Sequence, residues 1–175
     1  MSLIDALKNL LDGNDTSSKT SESADPLSQT VAAHMVDATD ETRSVVTAIA
    51  GLLAAVAFAD QDYSPAEERH VREELGRVHG LEAGGVDAIC TVLSEGIGRV
   101  VAAGDQHWVR DLRKLTEREQ RVEILEVLLD LAAADDELSM AETNYLRRLA
   151  TALGLEQSVY NAAQARHRDK LSALK

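Results

Sequence analysis

The sequence predicts an all-α domain of about seven or eight helices built from two related helix–acidic turn–helix units. Three observations carry that prediction. Hydrophobic residues make up 45% of the chain but aromatic residues only 3%, so Leu, Val, Ile and Ala must form the core, a mixture suited to close helix packing. Pro26 and Pro65 are the only prolines, and neither interrupts a long apolar run. Finally, an acidic segment occurs twice: residues 59–67 and residues 134–142 both read Ala-Asp-x-acid-x-Ser-x-x-Glu without a gap. Each copy follows an apolar helical run and opens a charged one.

The elements follow in order. Leu3, Ile4, Leu7, Leu10 and Leu11 lie at helical spacing, which predicts a short amphipathic docking helix over residues 1–11. Residues 12–26 have almost nothing to bury and read as a flexible linker. The segment 1–11 either docks a partner or folds back onto the domain that occupies residues 27–175. Residues 27–38 form a first domain helix with Val31 and Met35 on one face. Residues 40–60 form a central buried helix, opened by Asp40 and Glu41 and lined by Val45, Val46, Ile49, Leu52, Leu53 and Val56. Ser64-Pro65-Ala66-Glu67 is a capping box with proline at the first helical position, and its helix should run to about His79, with Gly80 as the stop. Residues 82–93, 97–103 and 106–115 read as further helices separated by glycines. Thr116–Glu119 suggests another capping box, for a helix reaching Asp135. Ser139-Met140-Ala141-Glu142 opens the next, Gly154 ends it, and residues 157–171 form the last.

The duplication reaches beyond the motif. Ile49, Leu52, Leu53 and Val56 match Ile124, Val127, Leu128 and Leu131, and Gly80-Leu81-Glu82 matches Gly154-Leu155-Glu156.

Charge narrows the function. With 18 Lys and Arg against 30 Asp and Glu the chain carries −12, which disfavours a general nucleic-acid surface and favours cations and basic partners. A lone cysteine, Cys90, rules out an intrachain disulfide and a thiolate-rich metal site. It sits among Ile89, Val92 and Leu93 and reads as a small buried hydrophobe. The first residues lack the pattern of a signal peptide, and the apolar run 48–59 is too short to span a bilayer, so the cytoplasm is the expected location.

The candidate site is the pair of acidic turns. Asp60, Asp62, Asp135 and Glu137 fall at the C-terminal ends of helices, where the macrodipole is negative and the last carbonyls lack partners. Carboxylates are disfavoured there, and a divalent cation (calcium, magnesium or manganese) would reverse the sign of that interaction. The alternative is a solvated loop that simply ends the helix. Glu67 and Glu142 are capping-box residues first and candidate metal ligands second. Neither copy completes an EF-hand, so binding should be weak. Glu67-x-x-His70 is half of a di-iron motif, but Tyr145 takes the histidine's place in the second copy. Trp108 reads as a structural anchor. No phosphate loop, nucleophile elbow or His-Glu-x-x-His occurs.

The paired motif, placed between an apolar and a charged helix, resembles the TerB-like (tellurite resistance protein B) family over residues 30–168. The resemblance implies a compact all-α fold, no catalytic mechanism, and a place in bacterial responses to tellurite and other stresses, among metal-binding, membrane-associated assemblies. That family often has Asp-Gly at the turn, where this chain has Gln61 and Asp136. The resulting expectation is a non-enzymatic stress-response module. It would bind a divalent cation weakly and dock a protein partner, such as an integral membrane protein, at the inner membrane without binding nucleic acid. A metal-free helical adaptor is the alternative, and a carboxylate-bridged metal enzyme ranks last.

Overall fold

The computed structural model of the chain describes residues 25–133 and 139–173, with side chains described outside 103–105 and 167–173. The segment 1–11, most of the linker, Asp135 and Glu137 therefore lie outside the described residues. Within them the fold is all-α, with no strand: α1 (Pro26–His34), α2 (Asp40–Ala57), α3 (Pro65–Gly76), α4 (Ala83–Leu115), α5 (Arg118–Ala132), α6 (Met140–Ala152) and α7 (Gln157–Ala173).

The core is organised around α2. Its N-cap is Thr39, whose hydroxyl accepts from Thr42 N at 3.2 Å, and Asp40 and Glu41 favour the positive end of the dipole. Every residue from Val45 to Ala57 is buried. The helix packs against α1, α3, α4, α5 and α6, with α4 its largest partner. Small side chains make this possible: Ala48, Ala50, Ala54, Ala55 and Ala57 let several neighbours approach one helix at once. The closest approach is at Gly51, where a β-carbon would lie 2.4 Å from Cε2 of Trp108 on α4. Trp108 is 4% exposed, which fits its expected role as an anchor.

Several boundaries differ from those the sequence suggests. The first domain helix stops at His34 rather than residue 38, and Arg43 takes over the turn: its Nε donates to Met35 O at 2.9 Å and its Nη2 to Val36 O at 2.5 Å. Helix α2 ends at Ala57, three residues early, and α3 ends at Gly76. Of the three helices expected over residues 82–115, the break between the first two is present as a kink at Gly96 (φ −161°, ψ 31°), whereas the expected break near Gly104 is absent and the helix runs on to Leu115, so α4 is two helical segments joined at that kink. Helix α5 starts one residue later than expected. The Thr116 hydroxyl turns back to Leu112 O, Glu117 becomes the N-cap, and Gln120 Oε1 reaches back to Glu117 N at 2.7 Å. That helix ends at Ala132 rather than Asp135.

Candidate functional site

Both Ser-x-x-Glu boxes form, with matching geometry. Ser64 Oγ accepts from Glu67 N at 3.1 Å and Glu67 Oε2 accepts from Ser64 N at 2.7 Å; Ser139 and Glu142 repeat both distances. The glutamates are 8% and 7% exposed. Each satisfies an otherwise unpaired helix N-terminal donor and turns its carboxylate inward. Gly80 and Gly154 share a left-handed backbone, φ +81° and +75°, but only Gly154 directly follows its helix's C-cap; α3 already ends at Gly76 with Arg77 as its C-cap, and Gly80 lies in the turn beyond.

The first acidic turn is built on the end of α2. Ala59 N donates to Val56 O at 3.0 Å, and Gln61 N donates to Phe58 O at 3.0 Å. Gln61 then takes φ +71°, the only positive φ among described non-glycine residues. This is the position where the resembled family often has glycine, so the turn keeps a left-handed backbone without it, at a cost of about 1–2 kcal/mol. Asp60 Oδ1 accepts from Asp62 N at 2.9 Å, and Asp62 Oδ1 accepts from Tyr63 N at 3.0 Å. Both aspartates are exposed, and no basic residue lies in the last turn of α2.

Of the six predicted ligands, then, Asp60 and Asp62 stand together on one exposed turn. Glu67 and Glu142 are engaged as caps, and Asp135 and Glu137 lie outside the described residues. Among the described residues, no group of three or more His, Cys, Asp and Glu side chains converges as a metal cage.

Behind the turn, Tyr63 buries its hydroxyl without a hydrogen-bond partner. Burial, then the neighbouring Cys90, push its ionisation well above the usual tyrosine range. Burial likewise raises the Cys90 thiol, partly opposed by Arg72, so this cysteine lacks the thiolate character of a nucleophile. Arg72 is itself paired with Asp87. His70 Nε2 lies 3.9 Å from Glu74 Oε1, and Glu74 also holds Arg77. The Glu67-x-x-His70 half-motif therefore borders an ion pair between the buried Glu74 and the exposed Arg77.

A feature the sequence did not announce lies beside the turn. An open cavity of about 500 Å³ is lined by Ala59, from the end of the first turn, and by Ala141, Asn144, Tyr145, Arg147 and Arg148 of α6. The first acidic turn and the start of α6 thus meet at one place on the surface. Only the spacing 141, 144, 145, 148, one stripe of a helix, hinted at it.

Among the described residues, fold and site together define an all-helical module in which two helices open with matching Ser-x-x-Glu caps. The family model for tellurite resistance protein TerB matches residues 46–165, more than half of the 175-residue chain, and the chain belongs to that family. The family is generally non-catalytic. No curated protein and no solved structure matches the chain. Among the described residues no helix is long and apolar enough to cross a membrane.

Proposed function

We propose that the protein is a non-enzymatic TerB-family stress-response module that binds a divalent cation weakly at its acidic turns and docks a protein partner, bringing it to the cytoplasmic face of the inner membrane. The observation that carries this reading is the exposed pair Asp60 and Asp62 at the C-terminal end of α2, where no basic side chain in the last turn offsets the helix dipole. A hard cation would be attracted to the carboxylate oxygens and to the negative helix end alike. In sequence Asp135 and Glu137 come shortly after α5, which also lacks a basic residue in its last turn. Glu67 and Glu142 support the site from within, by fixing the helices that leave each turn, and leave cation contact to the four other acids.

A metal-free adaptor is the second reading. It is favoured by the local bonds of the same turn: Asp60 and Asp62 each already accept from a backbone amide.

Thermal melts in calcium, magnesium or manganese, against sodium chloride of matched ionic strength, separate the two. At ten times the dissociation constant a ligand specific to the folded state adds about 1.4 kcal/mol, a rise of several degrees. Asp60→Asn combined with Asp135→Asn should abolish the specific part and leave the general screening of the −12 charge. Coincident divalent and sodium melts would transfer the assignment to the adaptor.

A further inference from the structure

We propose that the cavity between the end of α2 and α6 is a binding site for a small phosphorylated molecule, held through its phosphate by Arg147 and Arg148. The inference is independent of cation binding at the acidic turns. Ala141, Asn144, Tyr145 and Arg148 are spaced i, i+3, i+4 and i+7, so they form one stripe of α6, and that stripe faces Ala59 across the cavity. The opposite side of α6, with Glu142, Leu146, Leu149 and Ala150, is buried. Ala141, Asn144 and Arg148 are exposed, so core packing does not dictate their identity, while Tyr145 packs partly against the core.

Two features make the arginines a recognition pair rather than ordinary surface charge. First, they are adjacent in sequence and both line one cavity wall; like Arg69, Arg99, Arg113, Arg118 and Arg121, neither forms an ion pair with a carboxylate among the described residues. Second, Arg147 is oriented. Its Cζ lies 5.9 Å from the ring centroid of Tyr160, a residue with no exposed surface whose hydroxyl donates to Thr143 O at 3.3 Å. A guanidinium resting on a fixed aromatic face loses less freedom when it binds, and keeps its N–H edge for a ligand.

The ligand class follows from charge and size. One guanidinium fork satisfies a carboxylate; two on one wall match the double charge and three oxygens of a phosphate monoester. Asn144 adds an amide donor. Ala59, Ala141 and the ring of Tyr145 offer apolar surface to the remainder of the molecule. A small ligand is favoured over an acidic polypeptide or an anionic membrane, because any extended anionic surface would also meet Asp60, Asp62 and the overall negative charge.

The test is an NMR titration of the full chain with sodium phosphate and with phenyl phosphate. It is run in EDTA, so that cation binding plays no part, and against sodium chloride of equal ionic strength. Saturable shifts are expected at the amides of Ala59, Ala141, Asn144, Arg147 and Arg148, with phenyl phosphate binding more tightly than phosphate. Both arginines are exposed, so Arg148→Gln should fold and melt like the parent while raising the dissociation constant about tenfold, the usual scale for a lost charge-assisted hydrogen bond. Arg147→Gln with Arg148→Gln should abolish saturation. Shifts that chloride reproduces, or binding that survives the double substitution, would overturn the proposal.

Discussion

Replacing Gly51 by alanine adds one methyl group at the tightest point of the domain. Its carbon would lie 2.4, 2.5 and 2.6 Å from Cε2, Cζ2 and Cδ2 of Trp108, far inside any real contact, so either the indole moves or α2 and α4 separate. Two effects oppose each other. Alanine is the better helix former, which favours the variant by about 0.5–1 kcal/mol. Overpacking a well-filled core costs about 1–3 kcal/mol when the neighbours adjust, and about 3–5 kcal/mol when an aromatic side chain is lost from it. All three contacting atoms belong to a rigid ring that is 4% exposed, on the helix that packs most extensively against α2, so adjustment has little room. The penalty, at the upper end of its range at about 2–3 kcal/mol, wins, and a net loss of about 1–2.5 kcal/mol is expected, roughly 2–4 °C of melting temperature per kcal/mol for a chain of this size. Urea denaturation measures it. Trp108 is the only tryptophan, so its emission should also shift to the red in the folded variant. Trp108→Leu should be destabilising alone, yet less than additive with Gly51→Ala, because the second change vacates the space the first needs. A variant with unchanged or higher stability and unaltered emission would refute the reasoning.

The remaining predictions concern the turns. Ser64→Ala and Ser139→Ala should each lower stability by about 1 kcal/mol, the usual cost of an N-cap, and by similar amounts because the two boxes share one geometry; urea midpoints equal to the parent's would show that the serines are not stabilising caps. Gln61→Gly should raise stability by about 0.5–1 kcal/mol in the same assay, since relief of the left-handed backbone at φ +71° outweighs the extra freedom of glycine in the unfolded chain.

The parts legible in the sequence were those written in local chemistry. Ser64-x-x-Glu67 and Ser139-x-x-Glu142 announce their helix starts because a capping box is closed within four residues. Gly154 ends its helix because a left-handed residue is needed after the C-cap, whereas Gly80 takes a left-handed turn four residues past the end of α3. Long-range effects were not legible. Of the glycines in α4, Gly96 does mark a kink, but Gly98 and Gly104 do not break the helix: a helical glycine costs only about 1 kcal/mol, and packing of Gly98 against Phe58 and of Trp108 against Gly51 accompanies the segment that continues to Leu115. Thr116 and Glu117 are both plausible caps in sequence, and the Thr116 hydroxyl bonding back to Leu112 O leaves Glu117 in that place. The acids of the first turn were visible as a string of letters, but the cavity beside them needs α6, about eighty residues away, to supply Arg147 and Arg148.

The enclosure of α2 also sets a timetable for synthesis. The helix is complete once Ala57 has been added, but the α5 surface that covers part of it ends at Ala132. At about 5–20 residues per second the ribosome needs roughly 4–15 seconds to cross that interval, during which an alanine-, leucine- and valine-rich rod has only α1, α3 and the growing α4 to shield it. Early pairing with α4, before the rest of the chain exists, would shorten the time during which the nascent polypeptide is open to chaperone capture or to aggregation with a neighbouring chain.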